Sequence, residues 1–134
     1  MKTILFFDRC DLTRLYILLT KELEGNANII HVAFSDREAK ELEAAGISDY
    51  VDYQKELSQL VDSLKPQEQL IKEIDSVIIE QSKGQFSLNA SIQNDRGYSL
   101  LSYQEALLLA CCHYTLWKRI FSQQHVDFMY HELA

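Results

Sequence analysis

The chain has 134 residues, 47% hydrophobic and 25% charged, with one proline and four glycines, a composition that suits one packed domain and excludes a linker-like or disordered polymer. Thirteen Lys and Arg against 20 Asp and Glu leave a net charge of −7; that field repels a phosphate backbone, and with no basic cluster interleaved with aromatics, nucleic acid is not an expected partner. Three cysteines cannot all pair within one chain, no apolar run approaches the roughly 18 residues that span a bilayer, and the first apolar segment stops too early for a secretory leader, so the expectation is a cytoplasmic protein in a reducing compartment.

In chain order, Lys2 to Phe7 carries the unbroken apolar run Ile4-Leu5-Phe6-Phe7, closed by Asp8, and reads as a strand covered on both faces. Leu12, Leu15, Tyr16, Leu19 and Leu23 recur at helical spacing. They predict a helix buried along that stripe, with Asp8 or Asp11 as its N-cap and Gly25 as its stop. Asn28 to Phe34 is a second strand, and Ser35-Asp36-Arg37-Glu38 is a capping box that opens a second helix closed by Gly46. Asp49 to Tyr53 gives a short third strand centred on Tyr50-Val51. Strands and helices alternating through short loops imply right-handed crossovers and a parallel sheet. The fold class expected is α/β, a three-layer Rossmann-like domain with a small sheet of about four strands flanked by helices.

Leu57, Leu60, Val61 and Leu64 predict a further helix, Pro66 interrupts it, and Leu70, Ile71, Ile74, Val77 and Ile78 predict another. The polar stretch from Ser82 to Leu101 reads as a long loop, functional or mobile, with Phe86 and Leu88 as its anchors. Ser102-Tyr103-Gln104-Glu105 is a second capping box. It opens the longest helix, whose Tyr103, Leu107, Ala110, Tyr114, Trp117 and Phe121 predict a buried stripe, core rather than sugar platform. His125 to Tyr130 makes a last strand, and the chain stops at Ala134 with no helix to cover it. In open α/β sheets the ligand crevice forms at such a strand end, so the expectation is one domain, the N-terminal part of a longer two-domain protein.

Candidate site residues lie where strands end. Asp8 and Arg9 follow the first strand, on the side where ligands gather, and read also as a helix cap with an ion pair. Asp95 and Arg96 precede a capped helix in the polar loop, where they could orient a sugar hydroxyl or phosphate or form a solvated turn. His131 and Glu132 end the last strand, placed as an acid–base pair. Cys10 near a helix start could be a stabilised thiolate or a small buried residue; its spacing to Arg14 is too short for the cysteine–arginine loop of tyrosine phosphatases. Asp8-Arg9-Cys10-Asp11 holds no glycine, so close approach of a phosphate is not expected at that turn. No two of His31, His113 and His125 share a ligand spacing, and Cys111-Cys112-His113 spreads over about 200° of helix, so neither a metal nor a cofactor is expected.

The order of these segments resembles the amino-terminal domains of bacterial capsule and surface-polysaccharide biosynthesis proteins, themselves similar to two-domain GT-B glycosyltransferases. The residues that carry the likeness are Ile4-Leu5-Phe6-Phe7-Asp8, Val32-Ala33-Phe34-Ser35 with its capped helix, Asn94-Asp95-Arg96 before Ser102-Tyr103-Gln104-Glu105-Ala106-Leu107, and Val126-Asp127-Phe128-Met129-Tyr130-His131-Glu132. The resemblance implies an acceptor-binding half, inactive alone, that meets a nucleotide sugar or glycan acceptor through the full-length protein. Two other classes compete with it. A stand-alone flavodoxin-like regulatory or small-ligand-binding module would want a second acidic residue beside Asp8, and a small phosphatase or reductase would use Cys10.

Overall fold

The structure, a computed structural model, describes residues 1–65, 67–87, 90–92 and 100–131. The elements are β1 (Lys2–Asp8), α1 (Leu12–Glu22), β2 (Ala27–Ala33), α2 (Asp36–Ala44), β3 (Val51–Asp52), α3 (Tyr53–Leu64), α4 (Glu68–Gln81), α5 (Tyr103–Gln123) and β4 (Phe128–Tyr130). The four strands form one parallel sheet in the order β3-β2-β1-β4, and the chain is α/β and Rossmann-like, as its alternating pattern implies. It divides into two compact units, Met1–Glu56 with Phe121–Ala134, and Leu57–Ile120.

In the first unit β1 is the central strand, paired with β2 along its length and with β4 at Ile4 to Phe6. Because side chains alternate across a strand, Ile4, Phe6 and Asp8 share one face with Ile29, His31 and Ala33. On that face Phe6 stacks on Tyr16 of α1, ring centroids 4.7 Å apart. Ala33, Ile17 of α1 and Ala39 and Leu42 of α2 close into one apolar cluster beside it. The opposite face is covered by Tyr53, in the first turn of α3, whose ring lies 5.5 Å from Phe7 and 6.3 Å from Phe34.

In the first unit, three elements depart from the sequence reading. First, α1 buries Thr13, Tyr16 and Ile17, while Leu15, Leu18 and Leu19 stay exposed at 48%, 62% and 36%. The helix is rotated away from its leucine stripe because its inner face must also supply a polar partner, Thr20, to His31, which no leucine can do. Second, β3 is only two residues long, since Tyr53 leaves the strand to join the aromatic cluster through α3. Third, β4 begins at Phe128 rather than His125. Asp127 clasps β1 instead: its backbone N–H donates to the Thr3 carbonyl (2.9 Å) and its Oδ2 accepts from the Thr3 N–H (2.8 Å). That N–H, with Lys2 and His125 nearby, holds the Asp127 carboxyl below its usual range.

In the second unit Ile71 of α4, Ala106, Leu107, Ala110 and Cys111 of α5, and Ile92 form a core, with Ile74 and Leu108 packed on its edge. Ser102 opens α5 as expected, its Oγ accepting from the Glu105 N–H (3.2 Å). The buried stripe of α5 is Ala106, Leu107, Ala110, Cys111, Cys112, Leu116 and Ile120, whereas Tyr103 and Phe121 are exposed at 48% and 43%. Small residues at 106 and 110 allow close approach, and the aromatics turn outward. Within the predicted 82–101 loop, Ala90–Ile92 are helical; Leu88 lies outside the described residues, and Phe86 is 65% exposed while its N–H donates to Ser82 Oγ (3.0 Å).

The rotation of α1 is checked by two substitutions on the same helix. Ile17→Ala removes a side chain from the cluster and is expected to cost about 2–4 kcal/mol, whereas Leu15→Ala, in the predicted leucine stripe but 48% exposed, is expected to cost about 1 kcal/mol or less. Denaturant titration of both variants reads the difference, and the reverse ranking would place the leucine stripe inward.

Candidate functional site

A sheet of order β3-β2-β1-β4 has β1 at its centre, with connections leaving its carboxyl end beside that of β4, the edge at which ligands of doubly wound folds collect. The turn from β1 into α1 is built on Cys10, whose φ of 55° is left-handed, a conformation that L-residues with a Cβ seldom adopt. Glu38, three residues into the capping box of α2, holds it there. Its Oε1 accepts from the Cys10 N–H (3.0 Å), and its Oε2 accepts from the Ser35 N–H (3.1 Å) and from the Ser35 hydroxyl. Glu38 is only 3% exposed. Burial by itself raises a carboxyl's pKa, yet these donors outweigh it and hold Glu38 below the usual carboxylate range. The amide that would meet a phosphate at this turn is thus already bonded to a carboxylate of the chain itself.

Below the turn lies a polar chain that the sequence reading missed. Asp8 is fully buried and His31 is 2% exposed; Asp8 Oδ2 and His31 Nδ1 are 2.7 Å apart. On the other side of the ring, His31 Nε2 is 2.9 Å from Thr20 Oγ1, and the Thr20 hydroxyl donates to the Tyr16 carbonyl (2.7 Å). Asp8 Oδ1 and Thr13 Oγ1 are buried without a hydrogen-bond partner. Burial pushes the Asp8 carboxyl above its ordinary range; the hydrogen bond and charge of His31 pull it back, and the Glu38 charge adds to the rise. The signal for this chain was faint. A histidine inside an apolar strand, two residues along in register from an aspartate on the neighbouring strand, becomes visible only once the parallel pairing is known.

The predicted site residues are placed as follows. Asp8 faces the interior toward His31 and does not cap α1, whose N-cap, Asp11, makes no side-chain capping bond and instead meets Arg37 at 3.3 Å on the surface. Arg9 is half-buried, its guanidinium 4.6 Å from the centroid of the Phe34 ring. His131 is exposed just beyond β4. Asp95, Arg96 and Glu132 lie outside the described residues. Arg9 and His131 therefore follow the adjacent carboxyl ends of β1 and β4.

At the opposite end of the sheet a groove of 410 Å³ is lined by Thr20 and Glu24 of the α1 end, Ala27 and Ile29 of β2, and Ala45 and Ile47 after α2. Among the described residues no group of three or more His, Cys, Asp and Glu could hold a metal ion, and no helix is long and apolar enough to cross a membrane. Cys10 is exposed, whereas Cys111 and Cys112 are buried, and burial pushes their thiols up to about 12 and about 11.

Fold and turn define a Rossmann-like α/β domain whose first βα turn is closed by an internal carboxylate. The chain matches no protein-family model, no curated protein and no solved structure.

Two measurements test this geometry. A thiol reagent must reach the sulfur it modifies, so in the native protein it should modify the exposed Cys10 rapidly, while the buried Cys111 and Cys112 react only after denaturant is added. The acid limb of stability tests Glu38. Its folded pKa is below the unfolded value of 4.5, so its contribution is fully present above that pH and is lost as pH falls through the folded value. Glu38→Gln should lower stability near neutral pH by about 1–3 kcal/mol and flatten the acid limb. An unchanged acid limb would remove Glu38 from this role.

Proposed function

We propose that this chain is the acceptor-side domain of a glycosyltransferase-like protein of surface or capsular polysaccharide biosynthesis, binding a hydroxyl-rich glycan acceptor at the carboxyl ends of β1 and β4. The observation that carries the acceptor assignment is the Glu38 carboxylate on the Cys10 N–H (3.0 Å). A nucleotide donor needs backbone amides free to approach its phosphates, and here an internal anion sits on the turn and repels a second one. A glycan carries no such phosphate and is bound by directional polar groups and by ring faces. Arg9, packed on the Phe34 ring, brings a guanidinium to the rim. The assignment to polysaccharide synthesis rests on the sequence resemblance, and a nucleotide sugar would be engaged by a second domain of the full-length protein.

A second reading, a small-ligand-binding module, is favoured by one observation: the 410 Å³ groove is complete within residues 20–47, in the size range of ligand pockets. Its flavodoxin-like form fits less well. That order sets β3 beside β1, whereas here β3 flanks β2, and a phosphoacceptor must be reachable, whereas Asp8 is fully buried.

Backbone amide shifts of the labelled protein titrated with neutral oligosaccharides and, separately, with nucleotide sugars distinguish the readings. Glycan-induced shifts at Arg9 to Asp11, weakened about fivefold or more by Arg9→Ala, are expected. Tighter binding of a nucleotide sugar at that turn would sink the acceptor assignment, and shifts confined to the groove would favour the second reading.

A further inference from the structure

We infer that the buried Asp8–His31 pair is a one-proton switch whose state is read out by the direction of the Thr20 hydroxyl at the edge of the groove. The inference rests on counting protons along the chain of contacts. A carbonyl only accepts, so the 2.7 Å bond to the Tyr16 oxygen takes the single hydroxyl proton of Thr20. Thr20 Oγ1 must then accept from His31, which puts a proton on Nε2. At the other ring nitrogen, Nδ1 and Asp8 Oδ2 at 2.7 Å need one proton between them, carried as imidazolium with carboxylate or as neutral ring with carboxylic acid. Both forms hold the same number of protons, and both leave the pair neutral.

Removing that proton to solvent cannot leave the chain as it stands, because two lone pairs would face each other at 2.7 Å. The remaining ring proton moves to Nδ1 and donates to the Asp8 carboxylate. Nε2, now bare, accepts the Thr20 hydroxyl, which turns away from the Tyr16 carbonyl. One proton leaves, no covalent bond between heavy atoms changes, and the buried pair acquires a charge of −1. Such a charge is costly away from water.

The groups facing the pair set its balance. Glu38 of α2 bears on Asp8 as a like charge, and α1 supplies Thr20 at the far side of the His31 ring. β4 sends the Tyr130 ring to 5.8 Å from Phe6, which itself lies 5.7 Å from the His31 ring. None of these except the pair's own members neutralises a buried anion, so the neutral state is the resting one and the anionic state is reached as pH rises. The two arrangements are discrete because each proton has only one acceptor in each state, the condition for a switch rather than a gradual drift. Thr20 lines the groove, so a group bound there meets a hydroxyl pointing along the helix in one state and toward His31 in the other.

The test follows the imidazole nitrogens of His31 and the Thr20 signals by NMR on the whole chain across about pH 5 to 9. The expected result is Nε2 protonated at the low end, then a single step to protonated Nδ1 with bare Nε2, with the Thr20 signals moving in the same step. Asp8→Asn, which cannot share a titrating proton, should abolish the step. Should that variant fail to fold, Thr20→Val carries the same test, since it should shift the step at His31 to a different pH by removing the Nε2 partner. A His31 whose nitrogens do not change over the range, a bare Nε2 at the low end, a step insensitive to both variants, or Thr20 signals that ignore the step would each overturn the switch.

Discussion

The first unit depends on one constraint: two parallel strands bury an ionisable pair between them and must keep it satisfied. Asp8 and His31 sit two residues apart in the β1–β2 register, on the same face, at a depth where neither reaches water. A slip of one residue would turn His31 to the opposite face and strand Asp8 in an apolar layer, so the pair locks the register that the apolar residues, being interchangeable, could not lock alone. It also dictates the rotation of α1. Thr20 must face the ring, and the leucines one position away are carried outward with the rest of the helix surface.

The carboxyl end of the sheet obeys a related rule. A turn with a Cβ at a positive φ needs support, and Glu38 provides it across 28 residues of chain while also completing the cap of α2. One carboxylate thereby joins the β1–α1 turn to the start of α2 and makes the two βα units a single polar assembly. The consequence is that the Cys10 N–H of this turn is already bonded to a carboxylate of the chain itself. Also at that edge are the Arg9 guanidinium over the Phe34 ring and the exposed His131 just beyond β4. Asp127 performs the matching task at the other end of β4, fastening it to Thr3 before the ladder begins.

Much of the framework was legible in the residues. The run Ile4-Leu5-Phe6-Phe7 reads as a fully covered strand because a central parallel strand is apolar on both faces, and Ser35 to Glu38 reads as a cap because both partners lie within one turn. The helices α3 and α4 end and begin at Leu64 and Glu68, as the proline in the sequence between them predicts. The phases of α1 and α5 were not legible: Leu15 and Leu19, or Tyr103 and Phe121, satisfy a helical period as well as the true inner residues do, and only the surface opposite them chooses. Nor was the candidate site. Asp8 looked like a cap or a ligand because its neighbours in the chain permit both, while its partner, His31, is 23 residues away.

By itself the sequence determined the kinds of elements and their order, since strand, helix and cap signals depend on residues within a few positions of one another. Alternation through short connections then confined the fold to a parallel α/β sheet. Only the tertiary structure decided which carboxylate is buried against a histidine, which closes a turn and which clasps a strand. Those roles follow from burial and from partners distant in sequence, and an aspartate or glutamate carries no local mark of how much water it will lose.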